Sequence, residues 1–251
     1  MRTGMVIMIS IFLFLSTALA DSVHVKDGNI YYENNGKELQ ITSSGRDGNP
    51  VLHPDDAWVY FVRKLYECPT EDKCIPLKGI NMEDGDFKEE LWRIKTNGND
   101  ATMLFLSKES AGVMGDNHEY SFASIDNMQF SPSGDKVYFE TPNWVVSAGL
   151  HVMDADGSNE KLLGGGNGTK IILVAVHSDK KYNDYRGYIV TNQHRYGWFG
   201  GAYDWYWLFT PDFKEIGTLG DDFDYFTEIG EIKYTDQSEK NIKHSEKLPK
   251  R

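Results

Sequence analysis

Residues 192–207, "NQHRYGWFGGAYDWYW", concentrate the side chains best able to do chemistry. Gln193 and His194 carry neutral donors of the kind that hold a metal ion, and Arg195 offers a planar fork for a carboxylate. Tyr196, Trp198, Phe199, Tyr203, Trp205 and Trp207 follow within twelve positions of it. Three readings stay open: a metal site, blade packing by alternate aromatics, and an aromatic contact surface of the type that dominates protein interfaces.

The other reactive residue types form no local constellation. Seven histidines are scattered along the chain (His24, His53, His118, His151, His177, His194 and His244), with no H-x-x-x-H pair among them. "MDADGSNE" alternates Asp154, Asp156, Ser158 and Glu160. A calcium loop starting at Asp154 needs Gly and Glu where Asn159 and Gly165 stand, so the stretch is expected to be a hairpin turn. "LLGGGNGTK" lacks the Gly-Lys-Thr/Ser order of a phosphate loop and is expected to lead into a strand. Asn167-Gly168-Thr169 is a glycosylation sequon in a eukaryotic secretory host, and no G-x-S-x-G nucleophile motif is present. Acidic residues gather at Glu83, Asp84, Asp86, Glu89 and Glu90 and again at Asp221, Asp222 and Asp224. They read either as a rim for a basic partner or as a solvated face.

The chain gives these residues an exported setting. "MRTGMVIMISIFLFLSTALA" has an early Arg2, an apolar run and the small-residue site Ala18-Leu19-Ala20, the form of a signal peptide cleaved before Asp21. An uncleaved anchor is the rival reading. No second long apolar run follows, so no membrane span is expected after cleavage. The formal charge of −12 is repelled by nucleic acid and by anionic membranes. In an oxidising compartment Cys68 and Cys74, in "YECPTEDKCIP", are expected to pair as a disulfide, with a metal or redox pair as the rival.

The elements that must position these residues repeat. "PVLHPDDAWVYFV" (50–62) matches "MQFSPSGDKVYFE" (128–140): Pro54 falls on Pro132, and Val59-Tyr60-Phe61 on Val137-Tyr138-Phe139. Proline and Asp/Ser/Gly make a turn, and the alternation after it sends Val and Phe to one face and Tyr to the other. Hairpins recur at 29–42, 90–106, 149–165 and 204–219, each with a turn of Asn, Asp, Gly or Pro-Asp type. Strand pairs are expected at 50–63, 126–141 and 170–191, and an apolar pattern closes the series at 223–234. Aromatics at 13% and 24 glycines suit strands joined by tight turns. Repeated four-strand units that cannot bury their own faces indicate a β-propeller. The expectation is one all-β domain over 21–235 with four blades, or five, closed by pairing of its N- and C-terminal strands. A β-sandwich is the rival. Residues 236–251 form a charged tail expected to be disordered.

"FSPSGDKVYF" and "LHVMDADGSNEKLL" resemble the TolB-type propeller repeat, in which a Ser-Pro turn, a strand and a "MDADGSN"-like hairpin follow one another. Ser133 stands where the repeat has Asp, and "LHPDDAWVYF" departs further, with His53 for Ser and Asp56 for Gly. The resemblance is strong over 126–165, fair over 30–63 and 90–106, and weak after 170. It implies a periplasmic or secreted propeller. Members of the family include the Tol–Pal component of bacteria, propellers attached to peptidases and some polysaccharide lyases, which hold a metal at the ring centre with His and Gln. From the lyases comes one function, a metal-dependent lyase or hydrolase using His194 and Gln193, with His53 or His177. The other, which the chain favours, is a non-catalytic protein-binding module in the bacterial envelope, needing no cofactor. It would present the loops at 65–89 and 107–124, with Glu83, Asp84 and Asp86, together with Arg195, Tyr196, Trp198, Phe199 and Tyr203.

Overall fold

A computed structural model describes residues 20–70, 73–78, 86–107, 121–144, 147–173, 185–196 and 201–220. The described residues form seventeen strands and no helix. β1 (Ser22–Lys26), β2 (Asn29–Asn34) and β3 (Lys37–Gln40) make a first antiparallel sheet in that order. The second sheet runs β4 (Asp47–Leu52), β5 (Trp58–Lys64), β8 (Asp86–Lys95), β9 (Thr102–Leu106). Between β5 and β8 a separate hairpin is inserted, β6 (Tyr66–Thr70) and β7 (Lys73–Pro76). β10 (Ser121–Ala123) pairs parallel with the start of β8.

The third and fourth sheets share a strand. β11 (Asp126–Phe130), β12 (Lys136–Trp144) and β13 (Ser147–Asp154) lead into β14 (Lys161–Ile171), whose first half pairs with β13. Its second half, from Asn167, pairs with β15 (Ile189–Tyr196), which is followed by β16 (Ala202–Phe209) and β17 (Glu215–Gly220). The outermost strand of one meander thus becomes the innermost of the next. Glycines make the transfer feasible: a Cβ on Gly166 would stand 2.1 Å from the Thr191 hydroxyl.

The same turn is built three times. Lys95 N–H bonds Asn99 O, Asp154 N–H bonds Ser158 O, and Thr210 N–H bonds Lys214 O, at 2.9–3.0 Å; a second bond closes each turn from Gly98, Gly157 and Phe213. These three residues all have positive φ, so Phe213 takes the left-handed place that glycine holds in the other two. The Ser-Pro turn is likewise duplicated: Gly134 N–H bonds Ser131 O and Asp56 N–H bonds His53 O. Asp56, at φ 57°, adopts the conformation of Gly134, at φ 77°, so Asp in place of Gly leaves the turn intact.

Strand alternation packs the sheets face to face. β5 sends Val59 and Phe61 toward the first sheet, where with Ile94 of β8 they meet Ile30 and Ile41. It sends Tyr60 and Val62 the other way, against Phe130, Phe139 and Met153 of the third. β12 repeats this, with Val137 and Phe139 facing the second sheet and Tyr138 facing Ile189, Trp207 and Phe209 of the fourth. Inner strands also meet: Asn127 and Gln129 of β11 donate to Thr169 O of β14, and Ile171 N–H returns a bond to Gln129.

Two expectations are corrected here. The hairpin expected at 29–42 is present as β2 and β3 but does not open the fold: Ser22–Lys26 precedes it and pairs with Asn29–Glu33. β10 interrupts the stretch 107–124, which was read wholly as loop. The all-β class and the antiparallel meanders are as expected. Among the described residues no hydrogen bond or hydrophobic cluster joins the first sheet to the fourth, and the pattern at 223–234 lies outside them.

Adjacent sheets are latched by polar bonds as well as by packing. The Tyr60 hydroxyl and the Arg93 guanidinium both donate to Ala155 O, in the turn between β13 and β14, and His53 bonds Gly134 O at 2.8 Å. Tyr60→Phe should therefore lower stability by about 1–2 kcal/mol, read from the urea unfolding midpoint. An unchanged midpoint would show that the latch contributes nothing.

Candidate functional site

Each meander runs up and down, so its successive connections alternate between two rims. The short turns at 53–57, 96–101, 131–135, 155–160 and 210–214 occupy one rim: the His53–Gly134 and Tyr60–Ala155 bonds join neighbouring sheets there, and Pro211 and Asp212 line one hollow with Ser131, Pro132 and Ser133. Connections from β5 to β8, β9 to β11 and β15 to β16 leave by the other rim. Both insertions and the aromatic segment therefore start and end on one rim.

That rim has a rigid base. Asp47, at the start of β4 and fully buried, takes a two-pronged ion pair from Arg63 at 2.7 and 3.0 Å. The Arg63 guanidinium lies 4.6 Å from the centre of the Trp92 ring. Glu89 accepts hydrogen bonds from Tyr66 Oη (3.0 Å), which follows β5, and from Ile125 N–H (2.8 Å), which precedes β11. It thereby ties the beginning of the first insertion and the end of the second to the sheet. Burial pushes the Glu89 carboxyl above its ordinary range against the pull of those two bonds. Burial and the neighbouring Glu89 charge likewise raise the Tyr66 phenol. Glu89 is thus a buried tie and not part of a solvated acidic face, as its charged surroundings in sequence had suggested. The inserted hairpin β6–β7 carries Cys68 and Cys74 joined as a disulfide. A cavity of about 770 Å³ lies beneath it, lined by Arg46, Arg63, Glu67, Leu77 and Glu90 among others.

The aromatic segment is divided by strand alternation. Gln193, Arg195, Tyr203 and Trp205 lie on the face of the fourth sheet that packs on the third, whereas His194, Tyr196 and Asp204 lie on the opposite face. Gln193 donates to Gly165 O and accepts from Arg195. Arg195 also pairs with Glu215 at 2.8 Å and lies 3.4 Å over the ring of buried Trp207, whose indole N–H has no partner among the described residues. His194 pairs with Asp204 at 2.8 Å. Gln193 and His194 point to opposite sides of a sheet and cannot converge on one ion, and the described residues hold no cluster of three His, Cys, Asp or Glu suited to a metal. His53 is committed to Gly134, 81 residues away in sequence. Tyr196 is 78% exposed and Tyr203 half-buried. Trp198, Phe199, Glu83 and Asp84, with His177, lie outside the described residues; Asp86 opens β8.

No family model and no curated protein matches this chain. Solved structures similar to it include an oligogalacturonate lyase in complex with manganese, at 12% identity and TM-score 0.45 over 75% of this chain and 41% of that one. The tricorn protease is similar at 10% identity and TM-score 0.45, over 78% and 15%. The β-propeller domain of the Trilobed protease from Pyrococcus furiosus is similar at 12% identity and TM-score 0.42, over 75% and 47%. The chain spans less than half the length of each. Function is accordingly read from its own residues.

Glu89 generates a pH dependence of stability. Its native pKa exceeds the unfolded value, so the native state holds the extra proton in the window between them, and stability falls as pH rises through that window. Glu89→Gln removes the titration and should gain on the wild type as pH rises from about 4 to about 8 in urea unfolding. A difference between the two proteins that stays flat with pH would contradict the assignment.

Proposed function

We propose that this chain is an exported β-propeller of four blades that binds another protein through its insertion-bearing rim. The observation that carries the reading is placement: both insertions and the aromatic turn leave by one rim, while on the opposite rim the connection 172–188 is the one long link beside short turns. Loops gathered on one rim of a rigid scaffold are where binding residues collect.

The ring itself is part of the proposal. On the outer face of the fourth sheet Val190, Leu208 and Leu219 are almost wholly buried, with Ile172, Tyr188 and Tyr206 packed beside them. The outer face of the first sheet is polar instead, with His24 paired to Glu38 and stacked on Tyr31. Two such faces do not suit each other. "FDYFTEIGEIKY" (223–234) follows β17 closely and supplies the apolar cover that the fourth sheet needs. It also supplies a strand for the open edge of β1, so closure uses both ends of the chain.

Recognition would divide between charge and contact. Glu83, Asp84 and Asp86 belong to a chain of formal charge −12, which favours a basic partner and speeds its approach at low salt. Tyr196, with Trp198 and Phe199 next to it in sequence, offers the aromatic anchors, and Arg195 and Tyr203 brace them from the other face of the sheet. The apolar leader at the N-terminus supports a setting in the periplasm or outside the cell, as a scaffold in a bacterial envelope or as a neutraliser of an exported toxin. No observation favours the metal-dependent lyase or hydrolase.

The test is affinity capture of partners from envelope extract on the immobilised chain. Tyr196→Ala and Trp198→Ala should each lower partner affinity by about tenfold or more, and raised salt should lower it further. Asp100→Ala, on the opposite rim, should leave it unchanged. Equal recovery by all three variants would mean that the wrong surface has been assigned.

A further inference from the structure

The two rims differ in more than loop length. On the short-turn rim, the interfaces between second and third sheets and between third and fourth sheets should be equivalent, because the strands and turns that build them are equivalent. They are not.

Between the second and third sheets three side chains seal the rim. Tyr60 and Arg93, cross-strand partners, donate to Ala155 O. His53 fills the space beside them, bonding Gly134 O and touching both Tyr60 and Phe130. One sheet along, the corresponding positions are Tyr138, its cross-strand partner Val152, and Ser131. Valine has no donor and serine has no ring. The turn that corresponds to Ala155 begins at Pro211, which also lacks the N–H that Ala155 gives to Asp135 O and Thr96 gives to Ala57 O.

The result is a hollow of about 780 Å³ floored by Tyr138, Val152 and Met153 and walled by Pro132 and Pro211. This lies within the size range of a ligand pocket. Tyr138 is 3% exposed, lines the hollow, and its hydroxyl has no hydrogen-bond partner among the described residues. Its hydroxyl opens on the hollow, where a bound acceptor would take the place of water. Burial and the charge of Asp135 raise its pKa, so it remains a donor at neutral pH. Exposed Lys161 and Arg186 also line the hollow with Lys136, and Asp135 and Asp212 stand among them, Asp212 within reach of the Lys161 charge.

We propose that this hollow receives a turn of an acidic peptide from a partner protein. A backbone carbonyl of that turn accepts the hydrogen bond of Tyr138, as Ala155 O accepts that of Tyr60, and its carboxylates meet Lys161 and Arg186. The molecule supplies the template for the occupant. At the sealed interface the guest is its own Asp154-Ala155-Asp156-Gly157-Ser158 turn, with Asp156 feeling the charge of Arg93. This site stands on the rim opposite the one assigned above and does not depend on that assignment.

The probe is acetyl-Asp-Ala-Asp-Gly-Ser-amide, titrated into the full chain and followed by backbone amide NMR shifts. Saturable shifts should centre on residues 131–138 and 210–212. Tyr138→Phe should weaken binding by about tenfold, the worth of one buried hydrogen bond, while leaving the unfolding midpoint where it is, since that hydroxyl has no partner among the described residues. Val152→Arg, which installs the side chain found at Arg93, should fill the hollow and abolish binding. Replacing both aspartates of the peptide by asparagine should weaken it. Absence of saturable shifts, or equal affinity for wild type, Tyr138→Phe and Val152→Arg, would overturn the proposal. So would a loss of stability in Tyr138→Phe, because it would show that the hydroxyl already has a partner within the chain.

Discussion

A strand in the middle of each meander has two buried faces, and the rest of the structure depends on that constraint. A sheet with one buried face could stop at a solvated side. β5 and β12 cannot, because Val59 and Phe61 need one neighbour while Tyr60 needs another, and Val137 and Phe139 differ from Tyr138 in the same way. Each sheet therefore requires a sheet on either side, and the row continues until a polar face ends it or the chain closes on itself. The first sheet presents the polar face, with the pair His24–Glu38, and the fourth presents an apolar one.

Much of this was legible in the sequence because the turns are locally encoded. Pro54 and Pro132, Gly98 and Gly157, and the Val-Tyr-Phe triplets set turn type and alternation within a few residues, and pairing followed from them. β1 was missed because "SVHVK" is short, with polar residues on its outer face, and directly follows the apolar leader. β10 was missed for another reason: its parallel partner lies 35 residues back at Asp86, and nothing local announces such a pair. Glu89 sits in "DFKEELW" and reads as one surface acid among several. Its burial is imposed by Tyr66 and Ile125, 23 and 36 residues away.

The site divides along the same line. That Gln193 and His194 are adjacent in a strand was visible, and period-two alternation alone separates them, so the metal reading carried its own contradiction. Where each loop emerges was also in reach once the meanders were counted. The hollow at Tyr138 was less so. Its signal is the change from His53 and Arg93 to Ser131 and Val152 between matched repeats, which looks like drift until the cross-strand register shows what those residues do. Repetition fixes the fold, and departures from repetition mark where the molecule has room for something else.

The central claim is that the sheets form a ring closed by the C-terminal segment on the free edge of β1. Residue-resolved amide hydrogen exchange over Ser22–Lys26 in the full-length chain tests it most directly. In an antiparallel pair alternate amides face the partner strand, so β2 accounts for only part of the set. Closure predicts that all five amides are protected to a similar degree. Fast exchange of every second amide, at the rate of a solvent-exposed edge, would show β1 to be the end of an open row and would contradict the ring.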